Sequence, residues 1–391
     1  MPRSLLPLLL AALGMFLTQH LIVPALTPLS TEAGLSPTRL SLVITVSSAA
    51  LALSSPLWGW ALDSIGLRAV LIAGLALSVL GLAGFAAAVT FGLDETLNPD
   101  LSFAFVVVFR GVLVGAGLAV FAVAALAVAG TTTVAEGDRT RAVGLVWAVQ
   151  GLAALIGPPI GGLLVFLSLL LPLYLAPVIA LLVAVVVLIA VKPVERPRHT
   201  VPTRPWELLP AFGVGFLMYL AFALSQAVIT LLVKARLEMS TNLFAISGIM
   251  LLSALGLVVT QGVVVPLLRW SAARLMRTGA PIALAGYAIL AVSQSLWLAA
   301  MAFLLVAVGL GLAVTGFAAA ASLGVGPRHQ GLVAGLVCAA AGLAVLAGTM
   351  LSGLLYDLAP IAPVIAAGVA TAVAWVLSLP QLTSRVPESV A

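Results

Sequence analysis

Apolar runs of span length recur along the whole chain, each closed by a short polar break. At about 20 residues per crossing, they predict twelve transmembrane helices. These cover 5–28, 39–62, 69–91, 101–129, 142–165, 168–191, 208–233, 242–268, 278–297, 299–323, 331–356 and 361–380. Typical breaks are DETLNPD at 94–100 and TTTVAEGDRTR at 131–141. Long strands of alternating polarity are absent, which argues against a β-barrel. Helices are the remaining way to satisfy backbone polar groups in lipid. The opening residues, with Arg3 before an apolar run, have the form of a signal peptide. The run continues past Leu13 to Pro24, so it is read as an uncleaved first span.

Composition agrees with the pattern. Of 391 residues, 63% are hydrophobic and 7% charged, against about 25% charged in a soluble domain. Where the basic residues fall sets the orientation. With the N-terminus inside, the cytoplasmic side receives thirteen Lys and Arg residues and the outside three, Arg39, Lys234 and Arg236. Both termini are therefore expected in the cytoplasm, in a multi-pass protein of the inner (plasma) membrane. The net charge of +5 is scattered among loops, which reads as topology and not as a nucleic-acid surface. One cysteine, Cys338, excludes an intrachain disulfide. His20, His199 and His329 lack metal-ligand spacing, and neither a carboxylate pair nor a Ser–His dyad lies at plausible depth. No metal, cofactor or enzymatic activity is expected.

The longest polar break, KPVERPRHTVPTRP, is basic and rich in proline, a composition that does not pack as a helix. It divides the chain into an N-terminal six-helix bundle (1–191), a linker (192–206) and a C-terminal bundle (207–391). The two halves are related. Sliding span 5 onto span 11 by 191 residues gives twelve identities over positions 144–164, among them Gly144/Gly335, Gly157/Gly348 and Gly162/Gly353. Chance would give roughly two or three, so the match points to an internal duplication. Duplicated six-span units are the mark of transporters built from two bundles.

Particular residues carry a family resemblance. Gly59, Asp63, Gly66 and Arg68, at the span 2–3 connection, resemble the G-x-x-x-D-[RK]-x-G-[RK]-[RK] signature of the major facilitator superfamily, with Ser64 and Leu67 replacing two basic positions. Two glycines permit a tight turn and close approach, and a carboxylate suits a helix N-terminus. The resemblance implies a cytoplasmic gate in which Asp63 docks against the start of span 11, near Gln330–Gly335. In span 5, Gly144, Ala153, Gly157, Pro158, Gly161 and Gly162 resemble G-x8-G-x3-G-P-x2-G-G of the twelve-span drug:proton antiporter branch, Ala153 standing where the family has Gly. That implies a surface of small residues facing span 8 that seals the extracellular side.

Arg110 lies deep in span 4, where an unpaired charge is costly. It resembles the family's R-x-x-[Q]-G-x-G, although Gly115 and Gly117 come one position late. The resemblance places it near a proton pathway and facing span 1. All twelve acids lie in breaks or at span ends. His20 is then the one group within the bilayer that titrates near neutral pH: either it carries or senses the proton, or it is a neutral histidine bonded to Gln19 or a carbonyl. Further candidate cavity groups are Ser47, Gln150, Tyr219, Gln226, Ser247 and Thr315.

Taken whole, the resemblance implies an all-α membrane protein of the major facilitator fold, two pseudo-symmetric six-helix bundles in a monomer. The implied activity is alternating-access secondary transport, with protons as coupling ion and a small amphipathic or anionic organic compound as substrate. A drug or a metabolite such as a siderophore would be exported. Uptake or facilitated carriage of an organic anion, or lipid or glycolipid flipping, are the alternatives.

Overall fold

The computed structural model describes residues 5–32, 37–191, 208–237 and 243–379. Helices joined by short turns make up those residues, and no strand occurs among them. The first half runs α1 (Leu5–Glu32), α2 (Pro37–Ile65) and α3 (Leu67–Leu93), followed by a long span built of α4 (Pro99–Val106), a π-helical stretch (Val107–Leu113) and α5 (Val114–Thr132). α6 (Glu136–Leu167) and α7 (Leu171–Ala190) complete it. The second half has α8 (Leu209–Leu237), then α9 (Leu243–Val259), a π-helical stretch (Thr260–Val264) and α10 (Val265–Leu268). α11 (Ala272–Val292), α12 (Leu296–Leu323), α13 (Gln330–Leu358) and α14 (Ala362–Leu377) follow. Among the described residues eleven helical stretches are long and apolar enough to cross a membrane, and α14 is a shorter apolar helix. The fold class read from hydropathy is the fold observed. The linker 192–206 lies outside the described residues.

One boundary differs in a way that matters. The break at 131–141 reads as loop, yet α6 begins at Glu136 and takes up Asp138, Arg139 and Arg141. Helices start on polar residues when acids stand in the first turn, where they face the positive end of the helix dipole. Hydropathy is blind to that preference. α2 likewise continues to Ile65, so Asp63 sits in its last turn. The helix then stops because Gly66 adopts φ 97°, a conformation that L side chains rarely enter.

Two compact units emerge. The first comprises 1–132, 149–200 and 327–342, the second 133–148, 201–326 and 343–391. Each unit therefore takes in one short segment from the other half of the sequence. Within each, the closest packing is backbone on backbone. A Cβ on Gly117 would strike Ser78 and the Gly74 carbonyl, and one on Gly309 would strike Gly279 and the Ala283 amide. Lipid tails give apolar helices no hydrophobic reason to associate, so close packing at such glycines is a main part of what holds α3 to α5 and α11 to α12.

Gly309→Leu is expected to force α11 and α12 apart at a cost of about 1–3 kcal/mol. A melting midpoint in detergent equal to that of wild type would overturn this packing assignment.

Candidate functional site

Asp63 accepts hydrogen bonds from two backbone amides of α13. Gly331 N donates to Oδ1 at 2.9 Å and Leu332 N to Oδ2 at 2.8 Å. These amides belong to the first turn of α13, where N–H groups have no partner inside the helix. A negative charge there is favoured twice, by hydrogen bonding and by the helix dipole. Small residues bring the groups together. A Cβ on Gly59 would strike the Gly331 carbonyl, one on Gly335 the Ser55 carbonyl, and one on Gly342 would lie 2.8 Å from Ala52 Cβ. α13 thus lies flush along α2 for about three turns. Gly66 makes the turn behind Asp63, whereas Arg68 points elsewhere, its Nη2 reaching the Leu188 carbonyl at 3.4 Å.

A second carboxylate cap lies in the other unit. Glu136, in the first turn of α6, accepts from Ala272 N of α11 at 2.8 Å. Around it Thr140 Oγ1 donates to the Trp270 carbonyl at 3.1 Å. Arg139 donates to the carbonyls of Ser322 at 3.1 Å and Thr133 at 2.5 Å. Arg269, left-handed at φ 47°, ends α10 as Gly66 ends α2. The Arg269–Asp138 pair, 3.9 Å apart and more than half exposed, adds little. Glu136 was not singled out from the sequence as a site residue. It belongs to no motif, and an acid three positions before a basic residue in a polar break reads as ordinary loop chemistry.

The duplicated spans explain each other. Gly144 packs against the Gln261 carbonyl and Val265, as its counterpart Gly335 packs against Ser55. Further along, Gly157 lies against His20 and Gly161 against the Leu21 carbonyl of α1. The counterpart of Gly157, Gly348, lies against Ala223 and Leu220 of α8. Gly162 and its counterpart Gly353 meet nothing within 4 Å. Ala153 is fully buried, and α6 runs unbroken through Pro158 and Pro159. The glycine series of α6 is therefore divided. Gly144 lies on α10 and the π-helical stretch before it, while Gly157 and Gly161 lie on α1.

The remaining polar candidates separate into groups. Arg110, 6% exposed, occupies the π-helical stretch, donates from Nη1 to Ser47 Oγ at 3.2 Å and lies in the field of His20. Gln19 is half-buried; Gln150 is half-buried and its Nε2 has no partner. Tyr219 stands edge-on to Trp147, ring centroids 6.3 Å apart. Trp147, 8% exposed with an unpartnered Nε1, is a further polar group that sequence reasoning passed over as apolar. Gln226 is exposed and reaches only Met250 Sδ at 3.9 Å, Ser247 is exposed, and Thr315 bonds its own helix at Gly311. Among the described residues no group of three His, Cys, Asp or Glu side chains converges to hold a metal.

Helices of span length, a duplicated glycine-rich span and a carboxylate-capped turn are the features of a multi-pass membrane protein. The chain belongs to the Major Facilitator Superfamily, whose family model matches residues 8–349. It is a transporter and not an enzyme. Solved structures of the same fold include the human organic anion transporter MFSD10 (TETRAN), at 16% identity and a TM-score of 0.79, covering 96% of this chain and 99% of that one. A bacterial homologue of the iron transporter ferroportin, in an outward-facing state, is also 16% identical with a TM-score of 0.79, covering 98% and 100%. The E. coli fucose:proton symporter FucP is 16% identical with a TM-score of 0.71, covering 95% and 97%. No curated protein matches the chain by sequence.

Asp63→Ala removes both acceptors of the α13 cap and is expected to destabilise the protein by about 1–3 kcal/mol. Arg68→Ala, which loses one long, exposed bond, should leave the melting midpoint of the purified protein unchanged. Equal midpoints for the two variants would refute the cap.

Proposed function

We propose that this protein is a proton-coupled exporter of a small amphipathic or anionic organic compound, working by alternating access. The observation that supports it most directly is the Asp63 cap: a charged side chain of the first half of the sequence holds the first turn of a helix from the second. Such a contact can be made and broken without unfolding either helix. The Glu136 cap adds a second contact of the same kind. By the distribution of Lys and Arg, both caps belong to the cytoplasmic end, with both termini in the cytoplasm of a plasma-membrane protein. Released together, they open the substrate path to the cytoplasm; re-formed, they close it. The protein acts as a monomer.

The antiporter reading rests on the glycine and proline series of α6, Gly144 to Gly162. Proton coupling is assigned to His20, since each described carboxylate stands near a helix end and a histidine titrates in the physiological range. A fucose:proton symporter among the structures of the same fold is consistent with a coupling proton. A second reading, uptake of an organic anion, is favoured by the buried Arg110 and by the likeness to an organic anion transporter.

Fluorescein, an organic anion, separates the two. Cells making the protein should retain less fluorescein than control cells, and a protonophore should abolish the difference. Greater retention than in control cells would favour uptake and refute export. Asp63→Asn should lose transport with expression unchanged, and His20→Gln should lose the dependence of transport on pH. A His20→Gln protein with wild-type pH dependence would remove His20 from the proton path.

A further inference from the structure

Arg110 is a buried charge that its own unit leaves unanswered. It is 6% exposed and its Nε–H has no acceptor. The one hydrogen bond described for it goes to a neutral hydroxyl, Ser47 Oγ. The titratable group in its field is His20, which is neutral or cationic and never an anion. The carboxylates described in the same unit are engaged or remote. Asp63 caps α13, Asp100 pairs with Arg39 at 2.6 Å, and Asp94 and Glu95 stand in the turn after α3. Along its own span Asp100 is ten residues away, about 15 Å at helical rise. A guanidinium keeps its proton, so the positive charge persists. Both a buried charge and a buried donor without partners are costly to leave in place.

The backbone around Arg110 is specialised as well. π-helical stretches such as Val107–Leu113 are rare and recur at functional sites. Here Gly111 packs against Val46 and Gly115 against the Ser47 carbonyl, seating the stretch closely on α2. The guanidinium is thereby fixed at Ser47 by one nitrogen while its Nε–H stays free. A planar anion with two oxygens matches such a donor fork.

We propose that Arg110 is the binding point for the carboxylate of the transported compound, so that the substrates are organic acids. The inference rests on the transport reading above and names the substrate class. A cationic amphiphile would place a second positive charge beside Arg110. A neutral amide would satisfy the free N–H and leave the charge unbalanced. Chloride would balance the charge but offers a single atom where a carboxylate offers two oxygens in the plane of the fork.

The test is calorimetric and thermal-shift binding to the purified full chain in detergent, at constant ionic strength. The probes are sodium benzoate and sodium succinate, their neutral counterparts benzamide and succinamide, and sodium chloride. Wild type should bind at least one carboxylate saturably and more tightly than its amide. Arg110→Gln should weaken that binding by roughly tenfold or more, as loss of a charged hydrogen bond does. Without ligand it should melt no lower than wild type, because the substitution removes an uncompensated charge. Arg110→Lys keeps the charge without the fork and should bind with intermediate affinity. The proposal is overturned if neither carboxylate binds wild type, if chloride matches them, or if Arg110→Gln binds them as wild type does. Should Arg110→Gln not fold, wild-type affinity in Arg110→Lys overturns it instead. None of these measurements needs a gradient. Intact carboxylate binding with no protonophore effect in cells would therefore sink the export reading alone.

Discussion

The first turn of a helix carries N–H groups that the helix itself cannot satisfy, and here two such turns are completed by carboxylates from distant sequence. Asp63 serves α13 from 268 positions away and Glu136 serves α11 from 136. Much of the local structure follows from placing those oxygens. α2 must stop just past Asp63, which Gly66 achieves with a positive φ. α13 must lie within hydrogen-bonding distance of α2, which requires glycine at 59, 331 and 335. α6 must begin before its apolar stretch does, so that Glu136 is helical when it meets Ala272. In each unit the cap fastens a segment from the opposite half of the chain.

The duplication is faithful in packing and unfaithful in charge. Gly144 and Gly335 play one part, Gly157 and Gly348 another, and Gly162 and Gly353 are both open. The carboxylate has moved. In the first unit it stands beside the turn that ends α2 and caps the crossing helix, α13. In the second it stands on the crossing helix, α6, and caps α11 after the turn that ends α10. Small residues are constrained by backbone approach at a fixed register, so a repeat preserves them. A cap requires only that one partner be acidic and the other a helix start, and either partner can supply the acid.

This difference explains what could be read from the sequence. The apolar helices were legible because lipid leaves helices as the remaining solution and each crossing needs a run of fixed length. Asp63 was legible because its glycine neighbours form a recognisable frame. Glu136 was not, since the residues it depends on, Arg269 to Ala272, lie more than 130 positions away and have no signature spacing. The π-helical stretch at Arg110 was hidden for another reason. One extra residue per turn leaves the apolar pattern of a fully buried span intact, yet it shifts the glycines relative to the arginine. That shift fits the late register of Gly115 and Gly117 behind Arg110. Trp147 was missed because an indole counts as apolar until its N–H is found buried without a partner.

In the proposed cycle the caps must hold firmly and still break, and their chemistry suits that demand. A hydrogen bond to a charged group is worth about 1.5–3 kcal/mol, and the three described here are only partly buried. Together they amount to several kcal/mol. Turning a 1:99 equilibrium into 99:1 takes about 5.5 kcal/mol of differential binding. The two scales match, so the binding of one small ion or molecule is enough to decide whether the caps form. A buried ion-pair network would be a poorer device, because separating it would strand charges in a low-dielectric interior at about 3–5 kcal/mol for each broken pair. Helix N-termini avoid that penalty. In that cycle Asp63 leaves at the proposed cytoplasmic end, where water would reach both the amides of α13 and the carboxylate. Arg110 is the contrasting case, a charge placed where water is scarce and the described acids of its unit are elsewhere. Under the proposal made for it, its counter-charge arrives with what is carried, which would tie the energy of the buried cation to the presence of substrate.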